Sequence, residues 1–207
     1  PIIGVTGSKG KGTTSSLITS ILEAAGKRVW LVGNIGVPAL SVLSQVQPDD
    51  IVVYELSSFQ LWDLEKSPHT AVVLFIEQEH LDVHRNMDEY VEAKAQITRH
   101  QTEDDLLVYY ANNPYTERIA RTSKARKVVY PSADAAYVHM YDEMFCYGSN
   151  ALCSIHELRI PGEHNQVNAL AAIDAVWQYT QDAEAIKAGL NHFKGLPHPL
   201  AFVAAAQ

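Results

Sequence analysis

Cysteine is scarce in this chain: Cys146 and Cys153 are the only two among 207 residues. Two thiols build neither a disulfide framework nor, alone, a zinc site, so a reducing, cytoplasmic setting is the default expectation. Long hydrophobic runs are lacking too. Stretches such as 70–76 are far too short to span a bilayer, the first residues carry no basic-then-apolar signal pattern, and no membrane partner is expected. Positive charge is in deficit, with 16 basic against 24 acidic residues and a net charge of −8. That balance argues against nucleic acid as the main partner. With 47% hydrophobic and 19% charged residues, the marks of disorder are also missing. The chain reads as one globular domain of ordinary size. It opens directly in a strand-like run, and we expect it to be a piece of a longer protein.

The charge is unevenly placed. Residues 1–36 carry Lys9, Lys11, Lys27 and Arg28 against the single acid Glu23, so the negative balance lies wholly in the rest of the chain. A small basic head on an acidic body suits a local anion site better than a broad polyanion surface.

Apolar, β-branched runs alternate with helical patterns. Strands are predicted at 2–5, 28–32, 51–54, 71–76, 106–110 and 128–130. Helices are predicted at 13–25, 38–46, 87–100, 166–179 and 183–193, the first with Leu17, Ile18, Ile21 and Leu22 on one face and Gly26 as its stop. Residues 137–160 change to short alternating runs around Gly148-Ser149-Asn150, which predicts an antiparallel hairpin. The fold class is α/β: a mainly parallel sheet with helices on both faces, of P-loop type, plus a small antiparallel β appendage.

Gly7-Ser8-Lys9-Gly10-Lys11-Gly12-Thr13-Thr14 lies between the first strand and the first helix. There an α/β sheet presents free backbone N–H groups and a positive helix end to an anion. Glycines let the backbone curl round phosphate oxygens, and a lysine adds a point charge. The strict G-x4-G-K-[ST] pattern fails twice, at Val5 and at Gly12. Gly10-x-Gly12-x-x-Ser15 approximates a dinucleotide fingerprint, but the second strand ends in Val32-Gly33-Asn34 with no acid to hold a ribose. Nucleoside triphosphate is the better reading.

Triphosphate chemistry needs Mg2+, which takes oxygen ligands including carboxylates. Glu55 follows the apolar run 51–54 at the ligand-binding edge of the sheet, and Ser57, Ser58 and Gln60 follow at once. A second polar cluster, Glu77-Gln78-Glu79-His80-Leu81-Asp82-Val83-His84, follows the next core strand; it is either a solvated loop or part of a metal shell. Lys94 falls on the apolar stripe of its helix with Tyr90, Val91 and Ile97. Such a lysine either snorkels to water or is desolvated, and a desolvated amine is more reactive.

Taken together, these segments resemble the Mur ligase family, ATP-dependent amide-forming enzymes of peptidoglycan precursor synthesis. The resemblance runs through 6–11, Gly33-Asn34-Ile35-Gly36-Val37-Pro38-Ala39-Leu40, Glu55-Leu56-Ser57-Ser58-Phe59-Gln60-Leu61, Glu79-His80-Leu81-Asp82, Ala93-Lys94, Gly162-x-His164-Asn165-x-x-Asn168-Ala169 and Gly195-Leu196-Pro197-His198. The second and third segments resemble the D-glutamate-adding branch. The resemblance implies that residues 1–207 are one central ATPase domain, without the family's amino-terminal UDP-binding and carboxy-terminal amino-acid-binding domains. The activity implied is addition of D-glutamate to UDP-N-acetylmuramoyl-L-alanine through an acyl phosphate, by a monomer, with this core inactive alone.

The site residues implied are Gly7, Ser8, Lys9, Gly10, Lys11, Gly12, Thr13, Thr14, Asn165 and Asn168 for ATP. Glu55, His80 and Lys94, the last as its carbamate, would hold Mg2+, with Thr13 a further candidate. Asn34, Ser57, Ser58 and Gln60 would contact the UDP-sugar substrate, and Lys11, Lys94 and His80 would carry the chemistry. The family pattern has Ser or Thr where Gly12 stands, Asn at Phe75, and Arg and Glu at Pro199 and Ala201. A folylpolyglutamate-type amide ligase and a non-catalytic nucleotide-binding scaffold are the alternatives to the cell-wall ligase.

Overall fold

A computed structural model describes residues 1–77 and 86–196 of the chain. Six strands, β1 (Ile2–Thr6), β2 (Val29–Gly33), β3 (Ile51–Glu55), β4 (Thr70–Val73), β5 (Leu106–Tyr110) and β6 (Arg126–Tyr130), form a parallel sheet in the order β2-β3-β1-β4-β5-β6. The helices are α1 (Lys11–Ala24), α2 (Ala39–Val42), α3 (Ser58–Leu61), α4 (Met87–Arg99), α5 (Pro114–Thr122), α6 (Glu163–Val176) and α7 (Ala183–His192). None of the helices among the described residues is long and apolar enough to cross a membrane.

Successive strand residues point to opposite faces, and the burial divides accordingly. Ile3, Val5, Val72, Leu106 and Val108 pack with Leu17, Ile18 and Ile21 of α1, Leu170 and Ile173 of α6, and Ile186 and Leu190 of α7. Ala71, Val73 and Leu107 face the other way, onto Leu61, Tyr90, Val91, Ile97 and Ile119 of α3, α4 and α5. Both faces are therefore dry, which is why these strands read as continuous apolar runs. Each buried Leu or Ile side chain contributes about 1.5–3 kcal/mol.

Two helices are fixed by local chemistry. In α5 the Asn113 carboxamide oxygen accepts the N–H groups of Tyr115 and Thr116, both at 3.1 Å, and Pro114 fills the first turn. Helix α7 lies so close on α1 that a β-carbon at Gly189 would stand 2.4 Å from the Ile21 α-carbon. There the Ser20 hydroxyl donates to the Gly189 carbonyl at 2.8 Å.

The appendage is a three-stranded antiparallel sheet, β7 (Val138–Tyr141), β8 (Met144–Tyr147) and β9 (Asn150–Ser154), where one hairpin was expected. The third strand forms because β8 pairs on both sides, with β7 and β9. The appendage is tied to α6 by Asp174, whose Oδ1 accepts the Val138 N–H at 3.1 Å. Asp174 Oδ2 is buried without a hydrogen-bond partner among the described residues, and burial pushes the carboxyl up to about 8. Cys146 and Cys153 are reduced and buried in this sheet. Burial pushes the Cys153 thiol up to about 11, so it is an inert core residue. The helix predicted at 38–46 ends at Val42, and Leu40 and Leu43 remain largely in solvent.

Candidate functional site

The connection leaving β1 runs toward β2 on one side of it, while that leaving β4 runs toward β5 on the other. The carboxyl ends of β1 and β4 thus bound a crevice where the connections diverge, the usual ligand position in an α/β sheet. The glycine-rich loop occupies it. Gly7 (φ +149°) and Gly10 (φ +83°) hold left-handed backbone that other residues adopt poorly. Space excludes side chains as well: a β-carbon would stand 2.6 Å from the Leu74 β-carbon at Gly7, and 2.5 Å from Asn168 Oδ1 at Gly10. The loop backbone therefore touches Asn168 of α6 directly.

Gly10 caps α1, so the positive end of a 14-residue helix faces the loop. Lys11 Nζ donates to the carbonyls of Gly7 (3.1 Å) and Ser8 (2.7 Å). Lys9 pairs with Glu77 Oε1 at 2.5 Å. Ser8 is buried, its Oγ donating to the Glu77 carbonyl (3.1 Å) and accepting from the Glu77 N–H (3.0 Å). Thr13 faces the crevice. Thr14 is fully buried, and its hydroxyl has no hydrogen-bond partner among the described residues.

A cavity of about 550 Å3 opens beside the loop. Lys9, Gly10 and Thr13 line one side, His164, Asn165 and Asn168 from the start of α6 another, and Phe75, Tyr110 and Tyr130 a third. Asn168 Nδ2 donates to Asn165 Oδ1 at 3.4 Å, and Asn165 Nδ2 to the Pro161 carbonyl at 2.7 Å. The expected ATP residues on the loop and on α6 are thus brought to one place.

Glu55 ends β3 and is 4% exposed. Burial raises its carboxyl above the usual range, partly offset by the Lys11 ammonium, the Asn34 side chain and the Ile35 N–H. Its Oε2 is buried without a hydrogen-bond partner among the described residues. A buried carboxylate oxygen left open beside a phosphate loop fits a hard divalent cation. Lys94 is 1% exposed, so the snorkelling alternative does not hold. Its Nζ donates to the Gly7 carbonyl (2.8 Å) and lies 4.5 Å from the Tyr90 ring centre. Lys94 thus touches the loop at Gly7, and Glu55 interacts with Lys11 of the same loop. His80, Glu79 and Asp82 lie outside the described residues, as do His198, Pro199 and Ala201.

The expected substrate residues have local duties as well. Ser57 caps α3 in a reciprocal box with Gln60: the Ser57 N–H donates to Gln60 Oε1 at 2.9 Å, and the Gln60 N–H to Ser57 Oγ at 3.4 Å. Ser58 is buried, and Asn34 hydrogen-bonds Glu55.

The Mur ligase middle-domain model matches residues 5–176. This chain belongs to the Mur ligase family. Curated relatives of that family include the UDP-N-acetylmuramoylalanine--D-glutamate ligases of Symbiobacterium thermophilum and Streptococcus mutans. Each is 40% identical to this chain, over 96% and 97% of it respectively and 45% of the relative. The chain therefore spans under half the length of the curated relatives it matches. Its fold is also that of MurF ligase from Thermotoga maritima, solved in complex with ADP, with a TM-score of 0.66 and 19% identity over 95% of this chain and 49% of that one.

Motif reading singled out the loop, Glu55, Lys94 and the two asparagines as candidates. It missed the aromatic side of the cavity. Tyr110 and Tyr130 read as ordinary strand residues, and Phe75 stood out only as a departure from the family pattern. The available signal was position, since all three fall at or just beyond the carboxyl ends of adjacent parallel strands.

Proposed function

We propose that this chain is the ATP- and Mg2+-binding middle domain of a ligase that joins D-glutamate to UDP-N-acetylmuramoyl-L-alanine. The observation that carries the reading is the cavity in which Lys9, Gly10 and Thr13 of the glycine loop and the Asn165–Asn168 pair converge. The names of the curated relatives support the substrate pair, and the ADP-bound structural neighbour supports the nucleotide. The domain assignment over residues 1–207, a monomeric state and low activity in isolation belong to the same reading.

In this reading the amides of residues 7–14 and the Lys11 ammonium hold the ATP phosphates, and Asn165 and Asn168 hold the base side. Glu55 supplies a carboxylate oxygen to Mg2+, with His80, the Lys94 carbamate and Thr13 as further proposed ligands. When bound, the cation neutralises charge on the transferring phosphoryl group. Asn34, Ser57, Ser58 and Gln60 orient the UDP-sugar. The substrate carboxylate oxygen attacks the terminal phosphorus of ATP, and ADP leaves. The D-glutamate amine then attacks the acyl carbon of the acyl phosphate, loses a proton and expels inorganic phosphate. This chain's residues position the groups and balance their charge, with no covalent step on the protein except at Lys94. There the amine adds to CO2, forming a carbamate and releasing a proton.

Calorimetry of Mg·ATP binding to the wild-type chain and to Lys11→Ala tests the reading. Binding that falls at least tenfold in the variant is expected; no binding to wild type, or no difference, overturns it.

A further inference from the structure

Phe75 is a large apolar side chain left 39% exposed at the mouth of a cavity, directly beyond strand β4, whose four residues are all buried. The ring has firm backing. Tyr110 meets it edge-to-face at 5.2 Å between ring centres and 68° between planes, and Tyr130 meets Tyr110 at 5.6 Å and 82°. Tyr130 is 1% exposed, so the series is anchored in the core.

The backbones behind the rings are tied down as well. The Phe75 carbonyl accepts the Ser8 N–H at 3.0 Å, and the Tyr110 carbonyl accepts the Thr116 hydroxyl at 2.6 Å. Edge-to-face packing leaves the π-face of a ring available, and stacking on such a face is tolerant of which base lies there. Across the same cavity stand Asn165, Asn168 and His164, polar groups that can meet a base edge. A volume of about 550 Å3 lies within the range of small-ligand sites and is ample for a nucleoside.

We infer that Phe75, braced by Tyr110, is a stacking platform for the nucleotide base. Base affinity in this chain then comes from an aromatic wall as well as from the asparagines. The inference rests on the ATP reading given above and adds a residue to it.

The test compares Mg·ATP with inorganic tripolyphosphate, which carries the phosphates without the base, by calorimetry on the 207-residue chain. Phe75→Ala is expected to weaken Mg·ATP roughly 5- to 100-fold, the range for loss of one base–aromatic stack. Tripolyphosphate affinity should stay within about twofold, and Phe75→Tyr should bind both ligands like wild type. Unchanged ATP affinity in Phe75→Ala, with binding still lost in Lys11→Ala, overturns the platform and leaves the phosphate site standing. Equal weakening of ATP and tripolyphosphate also overturns it, because Phe75 would then act only by shaping the loop. If wild type binds neither ligand, the ATP reading falls and the platform with it.

Discussion

The Tyr90 hydroxyl lies 3.2 Å from Ser8 Oγ, deep in the protein, so that helix α4 is hydrogen-bonded to the phosphate loop. The same Tyr90 ring lies beneath the Lys94 ammonium. One aromatic side chain thus sets the height of the loop and one wall of the lysine's surroundings.

Tyr90→Phe keeps the ring and removes the hydroxyl. Ser8 retains its two bonds to the Glu77 backbone, so the expected loss of stability is about 1 kcal/mol, the net value of one hydrogen bond. Urea denaturation should show a lower midpoint with an unchanged slope. Mg·ATP affinity should fall severalfold because the loop is less firmly placed. An unchanged midpoint would remove Tyr90 from the set of residues that hold the loop.

Asp174 predicts a pH dependence of stability. The folded-state value of about 8 stands above the ordinary 3.8, so the native state keeps a proton that the unfolded chain has released between those limits. Stability from this group is fully present below about pH 4 and is lost as pH rises toward 8, at up to about 1.4 kcal/mol per unit. Asp174→Asn keeps the acceptor for the Val138 N–H but cannot ionise. Its chemical denaturation should vary less with pH from 5 to 8 than that of the wild type. Parallel stability–pH curves would refute the assignment.

Lys94 should take up CO2. Intact mass measured under native conditions in bicarbonate should show one added CO2, and Lys94→Met should show none. A wild-type mass that stays unmodified as bicarbonate is raised would discard the carbamate and leave Lys94 as a hydrogen-bond donor to the loop.

The sheet was legible because its strands are buried on both faces. Runs such as Ile51-Val52-Val53-Tyr54 and Leu106-Leu107-Val108 carry no competing polar alternation. Helix α5 was missed because only Thr116, Ile119 and Ala120 of its nine residues are buried, too few to raise a period. Its Asn113-Pro114 start was the readable sign. The helix predicted over 38–46 was overextended since Leu40 and Leu43 face solvent and only Val42 of the observed helix is buried, and pattern alone does not show what a stripe packs against. The glycine loop and Lys94 were legible as local sequence. The Phe75–Tyr110–Tyr130 series was not, because its members lie on or just beyond three separate strands and meet only through the alignment of β4, β5 and β6.

Gly189 has a mechanical consequence. A glycine inside a helix normally costs about 0.5–1 kcal/mol relative to alanine, yet here it allows two main chains to touch with no side chain between them. The separation of α1 and α7 is then set by backbone atoms, which have no rotamers through which to give way. Near its other end, Gly12 would place a β-carbon 2.8 Å from Leu196 Cδ1, and Gly10 abuts Asn168. Helix α1 is thus met by backbone at Gly189 and by side chains at Gly10 and Gly12. A displacement of α7 would therefore be passed to α1 main chain against main chain, and α1 begins at the phosphate loop.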